Sequence, residues 1–190
     1  MKLLIYGSKD FAQTVAALAV DCGHVVAGFV DDFDQSGGVV GTSESIRQTH
    51  PPHDFSVAMA IGYNNLPARL AAWENLRGAG YSTPKLIHPR AYVGREVTMG
   101  EGVMVMAGAI VDVRAKVGDI AVLWPGACVN HDATIGHNSF LSPNTTICGH
   151  ASIGASCFIG AGTAVVDRGV VPADSFVPML FRWTRRGPHD

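Results

Sequence analysis

The segment Val129-Asn130-His131-Asp132-Ala133-Thr134-Ile135-Gly136 sets an imidazole beside a carboxylate. Histidine changes charge near neutral pH, so His131 has the chemistry of a general base. A neighbouring carboxylate such as Asp132 can orient the ring or raise its basicity. The pair alone names no reaction, and a surface histidine beside a surface aspartate is the plainer reading of the spacing. What frees such side chains for chemistry is the pattern in which they are set.

That pattern has a period of six. From Val93 to Val177 an aliphatic residue falls on every sixth position, through Val105, Val129, Ile147 and Val165. Four residues after each comes a mostly small one, such as Ala109, Ala133, Ala151 or Cys157. Six is neither the helical period of 3.6 nor the strand period of 2. It marks a parallel β-helix. Three hexapeptides make one triangular coil, and strands of successive coils stack about 4.8 Å apart. The aliphatic and small residues fill the interior. His131 and Asp132 fall two and three places after a rung, outside the coil or at a turn. Gly94, Gly100, Gly118, Gly136, Gly154 and Gly160 each follow a rung directly and suit a tight backbone path near the corners.

Residues one coil apart share a corner, which groups Arg114, Asp132, His150 and Arg168. Asp132 therefore has a second candidate role, in a charge ladder across coils. Both roles stay open at this point. His131, His137 and His150 together suggest a zinc site. Residues six apart lie on different faces, however, and His150 matches neither partner by stacking, so no metal is expected.

The first 85 residues follow other rules. Leu3 to Tyr6, Val25 to Val30 and Phe55 to Ile61 read as strands, with a short one at Lys85 to Ile87. Helical patterns cover residues 10 to 22 and the stretch from Asn64 or Asn65 to Gly78, with Pro67 in its first turn. A short helix is expected at Ser43 to Gln48. Strands alternating with helices imply a small Rossmann-like α/β domain with a parallel sheet. The expected division is residues 1–85, a β-helix over 86–178, and a cap or tail over 179–190.

Composition narrows the class. The chain has 190 residues, 47% of them hydrophobic and 16% charged, as befits a folded domain rather than a disordered one. A net charge of -2 and a pI near 6.4 argue against a nucleic-acid partner. Arg182, Arg185 and Arg186 read as a solvated tail or a subunit contact. The opening MKLLIYG is too short for a signal peptide, and no apolar run reaches membrane-spanning length. Cys22, Cys128, Cys148 and Cys157 lack zinc or redox spacing, so a cytoplasmic location is expected.

Several segments together resemble one family: LLIYG at the start, GFVDDF at 28–33, AIGYNN at 60–65, KLIHPRAYVG at 85–94, VNHDATIG at 129–136 and ICGHASIGASCFIGAGTAVV at 147–166. They resemble the bacterial sugar O- and N-acyltransferases, typified by sialic acid O-acetyltransferases and nucleotide-4-aminosugar N-acetyltransferases. The resemblance implies a left-handed β-helix of hexapeptide repeats behind the Rossmann-like domain, and acetyl-CoA as acyl donor. It implies that His131 is the catalytic base, that Asp132 is the acid following it, and that the Gly149 N–H faces the thioester oxygen. Coenzyme A would run past Gly160 and Ala161 between subunits of a homotrimer. The N-terminal domain would hold the nucleotide-linked aminosugar near Gly7, Ser8, Lys9, Asp31, Asp32 and Gly62.

Three departures stand out. Lys9 replaces a glycine of the dinucleotide fingerprint, which argues against NAD and leaves Lys9 itself to meet phosphate. Phe140 stands where some relatives carry a second histidine. The chain also ends without the family's usual tail, so Met179 to Trp183 are expected to cap the coil. The leading expectation is N-acetylation of a nucleotide-linked 4-amino-4,6-dideoxysugar. O-acetylation of a sialic acid, a non-catalytic scaffold and a zinc hydratase are the rivals.

Overall fold

The computed structural model describes residues 1–185; Arg186 and the rest of the tail lie outside the described residues. The chain divides into two compact units, Met1–Leu86 and Ile87–Asp190.

The first unit is an α/β layer. Its elements are β1 (Lys2–Tyr6), α1 (Asp10–Asp21), β2 (Val25–Val30), β3 (Val39–Gly41), α2 (Ile46–Thr49), β4 (Phe55–Met59) and α3 (Leu66–Gly78). The four strands run parallel in the order β3-β2-β1-β4. Leu3, Leu4 and Ile5 are wholly buried in succession, as a central parallel strand covered on both faces requires. Helix α1 buries Ala12, Val15, Leu18 and Ala19, spaced three and four apart. Helix α3 starts where Asn65 accepts a hydrogen bond from the Ala68 N–H at 3.0 Å. Strand β3 has no counterpart in the sequence reading. At three residues, behind Gly37-Gly38, it is too short to show a period.

The second unit is a parallel β-solenoid. One six-stranded sheet includes Met104–Val105, Val122–Leu123, Phe140–Leu141 and Phe158–Ile159. A second six-stranded sheet includes Ile110–Val111, Cys128–Val129, Thr146–Ile147 and Ala164–Val165, and a five-stranded sheet includes Lys116–Val117, Thr134–Ile135 and Ser152–Ile153. Each strand pairs with its equivalent 18 residues on, as in Cys128 with Thr146. Three sheets with hexapeptide steps are the build of the left-handed β-helix that the period of six implies.

The interior is the expected one. Val111, Val129, Leu141, Ile147 and Val165 are wholly buried, as are Ala109, Ala133 and Cys157 in the small-residue positions. Burial of each large aliphatic contributes about 1.5–3 kcal/mol. Ser139 also fits inside, because its hydroxyl donates to the Gly154 carbonyl at 2.9 Å.

The glycines after the rungs are needed for a reason other than turn conformation. A Cβ on Gly136 would lie 2.4 Å from the Ala155 nitrogen of the next coil, so these positions are emptied by the stacking of coils. The left-handed corner conformation falls instead to residues such as Arg114, Asp132, Asn138 and His150, with φ between 56° and 59°. Arg182–Trp183 pairs with Ala164–Val165 and adds a strand within the segment expected to cap the coil. The Trp183 ring packs against the end of the core. Among the described residues no helix is long and apolar enough to cross a membrane.

Candidate active site

His131 and Asp132 sit at the corner that follows the Cys128–Val129 strand. The backbone fixes both. The Asp132 N–H donates to the Val113 carbonyl of the preceding coil at 3.1 Å, and the His131 carbonyl accepts from His150 of the next coil at 3.1 Å. The side chains point outward, with that of His131 47% exposed and that of Asp132 24%. His131 Nδ1 lies 2.9 Å from Asp132 Oδ2. An ionised carboxylate only accepts, so this contact puts the proton of the neutral ring on Nδ1 and leaves the Nε2 lone pair free.

Nε2 faces Gly149, one coil further on. A Cβ built on Gly149 would lie 2.8 Å from both His131 Nε2 and Cε1, so only glycine leaves room for this ring position. Among the described residues the Gly149 N–H has no protein acceptor, whereas its carbonyl accepts from Arg168 at 3.0 Å. The imidazole edge and Asp167 Oδ1 both border this empty Cβ position, the carboxylate oxygen 3.2 Å from it.

Arg114, Asp132 and His150 make a ladder at this corner, while Arg168 Nε lies 3.4 Å from Asp167 Oδ2. Arg114, Asp132, His150 and Arg168 all take the left-handed conformation. Arg114 grips Asp132 twice, Nε to Oδ1 and Nη2 to Oδ2, each at 2.8 Å. The Arg114 guanidinium, and then the His131 ring, hold the Asp132 carboxyl well below the usual carboxylate range. His150 Nε2 lies 3.9 Å from Asp132 Oδ2, and its ring meets that of His131 edge-on at 5.2 Å. Asp132 thus contacts the His131 ring and the Arg114 guanidinium at the same time.

His131, Asp132 and His150 offer ligand atoms within 4.8 Å of one another, so their geometry admits a cation. Arg114 opposes one, because its positive charge already occupies both oxygens of the single carboxylate. His137 lies on the next corner, after the Thr134–Ile135 strand, and among the described residues it joins no such group.

Gly160 and Ala161 follow the Phe158–Ile159 strand, at a different corner of the prism from His131 and Gly149. One chain does not bring these two sets together. Phe140 is buried, and Trp124 is half-buried.

The N-terminal unit carries a cleft of about 240 Å³ at the carboxyl ends of β1, β2 and β4, beside the point where strand order reverses. That is where open α/β sheets bind ligands. Gly7, Asp31 and Asp32 line it; Ser8, Lys9 and Gly62 are not among its walls. The remaining walls include Tyr6, Phe33, Ile61 and Asn65, which the sequence did not mark as site residues. Gly7 is fixed by its φ of 125° and by the Ala60 carbonyl, 2.7 Å from where its Cβ would be.

The two aspartates are already well bonded. Asp31 accepts from the Ser8 hydroxyl at 2.6 Å and from the Phe33 and Asp34 N–H groups. Asp32 accepts from the Tyr6 hydroxyl at 2.5 Å and from Ser43. Lys9 pairs with Asp34. These contacts order the rim of the cleft, and Phe33 stands on it 98% exposed.

Comparison with known proteins matches each unit to a family. The model of the PglD N-terminal domain matches residues 2–73, and that of the bacterial transferase hexapeptide (six repeats) matches residues 132–167. No curated protein matches the sequence. Among solved structures, the acetyltransferase domain of PglB from Neisseria gonorrhoeae is 25% identical with a TM-score of 0.87, over 99% of this chain and 93% of its own. The same domain in complex with acetyl coenzyme A is 27% identical with a TM-score of 0.83, over 94% of this chain and 88% of its own. PerB from Caulobacter crescentus, in complex with CoA and GDP-perosamine, is 29% identical with a TM-score of 0.76, over 95% of each chain. In its matched domains and its architecture the chain is similar to hexapeptide-repeat acetyltransferases, with a PglD-type N-terminal domain over residues 2–73 and hexapeptide repeats over residues 132–167.

Proposed function

We propose that the chain is an acetyl-CoA-dependent N-acetyltransferase acting on the amino group of a nucleotide-linked 4-amino-4,6-dideoxysugar. The observation that carries this reading is the placement of His131 Nε2 against Gly149. In the neutral ring, donation from Nδ1 to Asp132 leaves the lone pair on Nε2, and among the described residues the Gly149 N–H has no protein acceptor. The acceptor amine attacks the thioester carbon. His131 takes the proton released as the C–N bond forms, and the Gly149 N–H stabilises the oxyanion. The tetrahedral intermediate collapses by breaking the C–S bond. The thiolate leaves and recovers a proton, which His131 can return.

The nucleotide half of the acceptor belongs in the cleft lined by Gly7, Asp31 and Asp32, with Phe33 presenting its face at the rim. The solved PerB complex holds CoA and GDP-perosamine, a nucleotide-linked aminosugar. Gly160 and Ala161 occupy a different corner from Gly149, and that separation supports a coenzyme A path along a seam between two chains. A homotrimer of triangular prisms supplies that seam.

The test is to mix the protein with acetyl-CoA and a panel of GDP-, UDP- and dTDP-linked 4-amino sugars, and to follow thiol release. Turnover on one of them supports the reading, and turnover on none rejects it. O-acetylation is tested in the same assay with sialic acid in place of the amino sugar.

A further inference from the structure

Surface ion pairs contribute little to stability, yet Arg114 and Asp132 are joined by an ordered fork rather than a loose contact. Both ends rest on solenoid backbone. The Arg114 N–H donates to the Arg95 carbonyl and the Asp132 N–H to the Val113 carbonyl, each at 3.1 Å. Both residues take the left-handed corner conformation, with φ of 57° and 59°. The oxygen that accepts from Arg114 Nη2, Oδ2, is the one that meets His131 Nδ1.

We infer that Arg114 is a positioning residue for His131, acting through Asp132 from one coil away. The inference rests on the reading of His131 as the base. A carboxylate held by a single bond turns about its last torsion. Two parallel bonds to a planar guanidinium fix its plane. With the plane fixed, Oδ2 stays in line with Nδ1 and selects the Nδ1–H tautomer, which keeps the lone pair on Nε2 facing Gly149. Freed from Arg114, the carboxylate would turn toward water or toward His150, whose Nε2 lies 3.9 Å from Oδ2. The imidazole would then lose its orienting partner and gain the competing Nε2–H tautomer. A lysine at 114 cannot replace the fork, because an ammonium is a point donor that fixes no plane.

The experiment compares the wild-type protein with Arg114→Met, Arg114→Lys, Asp132→Asn and the Arg114→Met/Asp132→Asn double variant. In acetyl transfer, Arg114→Met is expected to lower kcat by about tenfold or more while KM for acetyl-CoA stays within about twofold. Arg114→Lys should recover little of the loss. The double variant should be no slower than Asp132→Asn alone, since Arg114 has nothing to hold once the carboxylate is gone. Nitrogen-15 spectra of the neutral His131 ring should show the Nδ1–H tautomer in the wild type and a mixture in Arg114→Met.

An unchanged tautomer and unchanged kcat in both arginine variants would overturn the inference. So would losses that simply add in the double variant. Melting curves and calorimetry with CoA identify a variant that has lost its fold, in which case Arg114→Lys alone gives the deciding readings. If the wild type acetylates no amine, the proposed function fails, while the tautomer spectra still decide the role of Arg114.

Discussion

Gly149→Ala is the smallest change that reaches the proposed chemistry. The added Cβ would sit 2.8 Å from Cε1 and Nε2 of His131. Ordinary contact begins about 0.6 Å further out, so the imidazole must retreat by that much or rotate away from Asp132. The backbone itself is under no strain, because Gly149 is absent from the positive-φ positions. The ring edge is exposed and free to swing into solvent, so the fold should tolerate the change with little loss of melting temperature. Catalysis should not. Misplacing a base by about 1 Å costs about 100-fold in rate, or about 2.7 kcal/mol of transition-state stabilisation. The assay is kcat/KM for acetyl transfer to the best amino-sugar nucleotide, with a melting curve as control. A stable Gly149→Ala protein with wild-type kcat/KM would refute the idea that the empty Cβ position keeps His131 in place.

Other predictions concern the two units separately. Leu141→Ala removes a wholly buried rung of the solenoid and should cost about 2–5 kcal/mol in denaturant unfolding. A loss under about 1 kcal/mol would show that the coil repacks freely. In the N-terminal unit, burial and then the Asp32 carboxylate push the Tyr6 phenol upward from its ordinary value. The folded state thus keeps a proton that the unfolded state gives up. The associated stability is complete below about pH 10 and is lost as pH rises beyond it. Tyr6→Phe should flatten the alkaline fall in melting temperature, and a fall equally steep in both proteins would contradict the assignment.

The solenoid was legible because its rule is repeated. An aliphatic residue every sixth position steps around a helix instead of along one face, and the run is far too long for one strand; Val111, Val129 and Ile147 are all found inside. His131 and Asp132 were readable as outward residues by the same count. Other features leave no periodic trace. Strand β3 is too short. The corner residues take left-handed angles through Arg, Asn, Asp and His as readily as through glycine, so composition does not announce them. The counting that put Arg114 above Asp132 revealed a neighbour, but not the fork or the shared oxygen, which depend on side-chain torsions. The cleft of the first unit likewise gathers Tyr6, Phe33 and Ile61 from three strand ends. Only the strand order, β3-β2-β1-β4, makes them neighbours.

The central claim is that the His131 imidazole takes the proton of an amine as it attacks acetyl-CoA. It is tested most directly by following transfer of a carbon-13-labelled acetyl group to a nucleotide-linked 4-amino sugar, by mass, with wild type and His131→Asn side by side. The account predicts a labelled N-acetyl product from the wild type and a rate lower by about 100- to 10,000-fold in the variant, with CoA still bound. Equal rates in the two proteins would contradict it.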